Sequence, residues 1–193
     1  MSICLFFGSF NPIHNAHLRI AEFVLSEFGF EKVVLIPAFN PPHKVITSSK
    51  HRLQMVKCAI EKRLGLEVSD IEFRLGNISY TYLTILELLK EYPQVKKFDF
   101  LIGTDAFEKI ESWYEVEELK KYLRFVVFSR ENDCDFSRFD YLKSKGYDFI
   151  FTTLDFCDIS STEIRKNIAL GKSLEGLVPS AVEEYINANG LYR

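Results

Sequence analysis

The chain has 193 residues, with 24 basic and 27 acidic side chains and a net charge of −3, so no bulk positive field draws it to a nucleic-acid backbone. At ~150 residues per domain this is the length of a single domain, residues 1–193. A hydrophobic fraction of 47% against 26% charged residues excludes disorder as the main state, and 18 Phe mean that flat rings fill much of the core. In chain order, nearly continuous apolar runs at 3–7, 32–37, 98–102, 124–128 and 148–152 predict buried strands. A further strand is read at 66–73, interrupted by Ser69 and Asp70. Between them, apolar residues at three- and four-residue spacing predict helices over 15–28, 51–64 and 80–91; Ile20, Ala21, Val24, Leu25 and Phe28 form the first stripe. A last helix starts at Pro179 and stops before Gly190.

Strand–helix alternation at this spacing predicts an α/β fold, a doubly wound parallel sheet, with a small C-terminal helical portion. Ligands of such sheets bind outside the carboxyl ends of the strands. The loops after Phe7, Pro37, Ile102, Phe128 and Thr153 are therefore the ones to inspect. Cys4, Cys58, Cys134 and Cys157 form no CxxC pair and read as four reduced thiols. The N-terminus lacks a basic n-region, and no apolar run reaches the ~18–20 residues of a membrane span, so a cytoplasmic protein without a membrane partner is expected.

The first of these loops reads Gly8-Ser9-Phe10-Asn11-Pro12-Ile13-His14-Asn15-Ala16-His17. It is neither a P-loop nor a GxGxxG fingerprint. Gly8 permits close backbone approach, Asn11-Pro12 forces a turn, and two histidines flank a helix start. Free N–H groups and partial positive charge there suit a polyphosphate. Two other readings stay open. HxxH is a metal pair only with a third ligand, which is not apparent. Histidines also cap and pack. Near the chain's end, Ile159-Ser160-Ser161-Thr162-Glu163-Ile164-Arg165 reads as a capping box of Ser160 with Glu163 and, compatibly, as an anion site of Ser161, Thr162 and Arg165.

The first loop resembles the GxFxPxHxxH signature of the nucleotidyltransferase superfamily of Rossmann-like adenylyl- and cytidylyltransferases. It differs from the common form at Phe7, Asn11 and Ala16. Residues 159–165 match that superfamily's ISSTxIR motif. Three further segments narrow the likeness: Asn40-Pro41-Pro42-His43-Lys44, Ser79-Tyr80-Thr81-Tyr82-Leu83-Thr84, and Ile102-Gly103-Thr104-Asp105 followed by Trp113-Tyr114. Taken alone, these read as a proline turn, a helix cap and a core tryptophan. Together with Val178-Pro179…Tyr185-Ile186…Leu191-Tyr192, they resemble the bacterial nicotinate-nucleotide adenylyltransferases over essentially the whole chain, with Leu83 as a departure.

The resemblance implies adenylyl transfer from ATP to nicotinate mononucleotide, with Mg²⁺ carried on the phosphates and no metal ligands in the protein. It implies His14, His17, Lys44 and Arg165 as catalytic. Gly8, Ser9, Phe10, His14, His17, Ile159, Ser161, Thr162 and Arg165 would hold ATP. Asn40, Lys44, Thr81, Asp105, Trp113 and Tyr114 would hold the mononucleotide. No nucleic-acid partner is implied, and a homo-oligomer is compatible with the sequence. A non-catalytic nucleotide sensor is the alternative of another class, distinguished by binding ATP without releasing pyrophosphate.

Overall fold

The computed structural model describes residues 2–42, 47–76, 78–129, 135–153 and 159–193. The chain runs β1 (Ile3–Gly8), α1 (Asn15–Glu27), β2 (Lys32–Pro37), α2 (Ser49–Ile60), β3 (Leu66–Val68), α3 (Ile71–Leu75), α4 (Thr81–Glu91) and β4 (Phe98–Gly103). It continues through α5 (Thr104–Phe107), α6 (Val116–Leu119), β5 (Leu123–Ser129), α7 (Asp140–Ser144), β6 (Asp148–Thr153), α8 (Ser161–Ala169) and α9 (Ser180–Ala188). Among the described residues the strands form one sheet in the order β3-β2-β1-β4-β5-β6, every neighbouring pair parallel. The order reverses between β1 and β4, so a crevice opens past Gly8 and Gly103.

The apolar runs are continuous because both sheet faces are covered. Side chains alternate, and each set enters a different core. Cys4, Phe6, Val33, Leu35, Leu101, Val126 and Phe128 join α1, α2, α8 and α9 on one face. Ile3, Leu5, Val34, Ile36, Phe100, Ile102, Phe125 and Val127 join α4, α6 and the Phe107–Phe139–Phe149 cluster on the other. Burial pushes the Cys4 thiol well above its usual range, which leaves it a packing residue.

Two elements differ from the sequence expectation. The strand read over 66–73 ends at Val68, and Phe73 lies in a helix. Ser69 decides this: its N–H continues the ladder to Leu35 O, while its hydroxyl accepts from Ile71 N–H and starts α3. The helix read over 51–64 spans Ser49–Ile60 instead. The chain must turn into β3, and Gly65 makes that turn at φ 77° with Leu64 left 95% exposed. Elsewhere the shifts are of a residue or two, and Pro179 sits at the N-cap of α9 rather than inside it.

Candidate active site

The site begins at the carboxyl end of β1. Phe10 is a bulky residue at φ 44°, a left-handed conformation that costs energy outside glycine. Its neighbours hold it there. Its ring sits edge-on to Phe6 at 5.6 Å and to His17 at 5.2 Å. A Cβ on Gly8 would lie 2.8 Å from two of its ring atoms, so Gly8 is required by this close approach. The Phe10 side chain is buried in the core.

His14 is the N-cap of α1 and His17 its third residue. The rings stack 3.6 Å apart at 28°, and His17 Nδ1 accepts from the His14 backbone N–H at 3.3 Å. Capping and chemistry are therefore compatible in one residue. With Nδ1 an acceptor, Nε2 carries the proton of the neutral ring and is the donor. Both histidines and the Ala16 methyl line a cavity of about 210 Å³ between β1 and β4, walled by Phe7, Gly103 and Trp113.

The loop bearing the histidines is tied down from the far end of the chain. Arg165 Nη1 donates to Asn11 O at 2.8 Å, and Ser161 Oγ donates to Pro12 O at 2.9 Å. Arg165 Nη2 donates to Thr162 Oγ1 at 3.2 Å, and the Ser160 hydroxyl accepts from Glu163 N–H at 3.2 Å. Ser160 is thus the helix cap that the spacing predicts. Ser161 and Arg165 join α8 to the β1 loop, and Ile159 lies buried just before them. The Tyr192 hydroxyl donates to Asn11 Oδ1 at 2.8 Å, and burial pushes its phenol up to about 12. A neutral amide suits the buried Asn11 position, because it accepts this bond without desolvating a charge.

A second cleft, about 660 Å³, opens beside the first. Thr81, Asp105, Trp113 and Tyr114 line it, together with Pro42, Tyr80 and Lys109. Trp113 packs edge-on against Phe100 at 5.8 Å, and Tyr114, 48% exposed, stacks on Tyr80 at 4.6 Å. Asn40 is not among the residues that line the cleft; it pairs with Ser79, which is. Its N–H donates to Ser79 Oγ at 2.9 Å, and Ser79 N–H donates to Asn40 O at 3.0 Å. Ser79 therefore ties two loops together rather than capping α4, whose N-cap is Tyr80. Ala106 and Trp113 line both cavities, so the histidine site and the aromatic cleft meet there. Lys44 and His43 lie outside the described residues, as do Cys134 and Cys157.

A family model described as cytidylyltransferase-like matches residues 5–167. The chain belongs to that family. A Clostridium botulinum (strain Loch Maree / Type A3) relative named "Probable nicotinate-nucleotide adenylyltransferase" is 36% identical over 194 residues, covering 96% of each chain. A Streptococcus pyogenes serotype M3 (strain ATCC BAA-595 / MGAS315) relative of the same name is 39% identical over 189 residues, 96% of this chain and 86% of its own. The fold is similar to that of Plasmodium falciparum nicotinic acid mononucleotide adenylyltransferase complexed with NaAD, with a TM-score of 0.81 over 99% of this chain and 97% of that one, at 22% identity.

Within this cytidylyltransferase-like chain, several residues at the site carry no role in the motif reading. Lys109 adds a cation to the aromatic cleft. Tyr192 reaches the β1 loop across 181 residues. Arg52 is wholly buried on α2, on the stripe shared with Met55, Val56 and Ala59. A charged residue on an apolar stripe is the signal that singles it out. Among the described residues, no group of three or more His, Cys, Asp or Glu side chains could hold a metal ion, and no helix is long and apolar enough to cross a membrane.

Proposed function

We infer that this protein is a nicotinate-nucleotide adenylyltransferase: ATP and nicotinate mononucleotide give deamido-NAD and pyrophosphate. The observation that carries this reading is the junction of the two cavities at Ala106 and Trp113, which brings a phosphate-type site beside an aromatic one. The full-length likeness to relatives of that name supports the same activity.

In this reading an oxygen of the mononucleotide phosphate attacks the α-phosphorus of ATP in line. The bond from that phosphorus to the bridging oxygen breaks, and its electron pair leaves with pyrophosphate. The attacking phosphate is already ionised near neutral pH, so the protein's work is positioning and charge stabilisation. His17 Nε2–H, His14 and the α1 N-terminus serve the ATP phosphates. Gly8 and Ser9, with the Phe10 backbone, line the nucleotide. Ile159, Ser161, Thr162 and Arg165 hold it from the α8 side, and Lys44 adds charge where the two phosphates meet. Thr81, Asp105, Trp113, Tyr114 and Asn40 form the acceptor side, with an aromatic face for the pyridine ring. The donor set fits Mg²⁺ carried on phosphate oxygens, since no carboxylate among the described residues lines the histidine cavity. The reading takes the chain as one domain, places it in the cytoplasm, and needs neither nucleic acid nor membrane.

The test is pyrophosphate release from ATP and Mg²⁺ with nicotinate mononucleotide, nicotinamide mononucleotide and phosphopantetheine in parallel. In this reading the Thr81 hydroxyl would donate to the nicotinate carboxylate and an amide would turn its NH₂ to that donor, so kcat/KM favours the acid, by up to ~10⁴. Equal rates with acid and amide overturn the acceptor assignment, and ATP binding without pyrophosphate release overturns the activity.

A further inference from the structure

Of the buried polar side chains that take no part in the chemistry above, Arg52, Glu72 and Thr84 form one connected set. Arg52 sends its guanidinium to the loop after β1 and to two points of the loop after β2. Nη1 donates to Ser9 O at 2.7 Å, Nη2 to Phe39 O at 3.1 Å, and Nε to Thr47 O at 3.0 Å. The other main-chain group of Phe39, its N–H, donates to Glu72 Oε2 at 2.9 Å. The remaining oxygen of Glu72 accepts from the Thr84 hydroxyl at 3.1 Å. Thr84 lies one turn inside α4, the helix that begins at Thr81 in the aromatic cleft.

The result is a continuous path, Ser9–Arg52–Phe39–Glu72–Thr84, from the nucleotide loop to the acceptor helix. Every link is a hydrogen bond shielded from full exchange with water, and a buried charge held this way tolerates few alternative arrangements. Ala38 N–H, donating to Gly8 O at 2.9 Å, and the Asn40–Ser79 pair run alongside it. We propose that Arg52, Glu72 and Thr84 are positioning residues that couple the two halves of the site, so that the nucleotide loop and the acceptor helix shift together. The naming of the halves rests on the adenylyltransferase reading; the coupling itself does not.

The experiment measures the nucleotide half after a change in the acceptor half. In Thr84→Val, which keeps the shape and removes the O–H, affinity for an α,β-methylene analogue of ATP falls roughly 5-fold or more, the low end of measured couplings. Amide exchange of the peptide covering residues 8–12 rises, while exchange in the buried β4 strand is unchanged. Thr84→Ser restores both values. Glu72→Gln, where one amide group replaces two acceptor oxygens, shows the same two changes and serves if Thr84→Val folds poorly. Coupling is overturned if either folded variant lowers only the melting temperature and leaves analogue affinity and loop exchange at wild-type values. These readouts need no acceptor. If the substrate panel selects a different mononucleotide, the functional reading falls and the coupling stands.

Discussion

The two cavities are built by different means. The nucleotide half is held by donors to backbone carbonyls: Arg165 on Asn11, Ser161 on Pro12 and Arg52 on Ser9, with Tyr192 on the Asn11 side chain. Its central rings, His14 and Phe10, are buried. The acceptor half is assembled from rings in contact with one another, Tyr114 on Tyr80 and Trp113 on Phe100, and its outer ring stands half in solvent. Hydrogen bonds to fixed carbonyls specify one loop geometry, whereas ring stacks slide at little cost. In the adenylyltransferase reading proposed above, the difference gives rigid charge placement to the half that would stabilise the transition state and adjustable contact to the half that would admit the acceptor.

The comparison breaks most severely at His17. His17→Ala is expected to lose roughly 10²–10³ in kcat, the scale for one donor to a developing oxyanion, with the acceptor KM little changed. Near-wild-type turnover of the folded variant would return both histidines to a capping role. On the opposite side, Trp113→Ala removes a ring face worth about 1–3 kcal/mol to a stacked base, so the acceptor KM should rise roughly 5–150-fold while the ATP KM stays within a factor of a few. Equal increases in both KM values would mean that Trp113 supports the junction of the cavities rather than the acceptor alone.

The smallest effect sharpens the account of the nucleotide loop. Tyr192→Phe removes one hydrogen bond to Asn11 and should cost about 1 kcal/mol of stability at pH 8, read by urea unfolding. The phenol is raised from its usual 10 to about 12 in the fold, so folding favours its neutral form. That stabilisation is fully present below pH 10 and is lost as the pH rises from 10 to 12. The gap between wild type and Tyr192→Phe should therefore narrow at pH 11. The Tyr147 phenol, also pushed up to about 12 by burial, is common to both proteins and cancels. A gap independent of pH would mean that burial does not hold the phenol neutral, and a gap near zero at pH 8 would mean that the hydroxyl bond to Asn11 contributes little.

The sheet was legible in the sequence because a strand buried on both faces writes itself as an unbroken apolar run; Lys32–Pro37 is recovered at both ends. The loop of His14 and His17 was legible because glycine, proline and histidine carry local instructions within ten residues. Residues 66–73 were misread because apolar composition alone does not separate a three-residue strand from the helix after it; the Ser69 hydroxyl does. Tertiary structure alone decided the partners of the residues behind the site, although Thr84 and Tyr192 stand in the motif segments and Arg52 shows as a charge on an apolar stripe. Arg52, Glu72, Thr84 and Tyr192 act on carbonyls, amides and side chains far away along the chain, and a backbone carbonyl leaves no mark on the residue type that carries it. Local pattern thus determined the fold class and the histidines, while the pairing of distant donors with main-chain acceptors arose only once the sheet had brought the loops after β1 and β2 side by side.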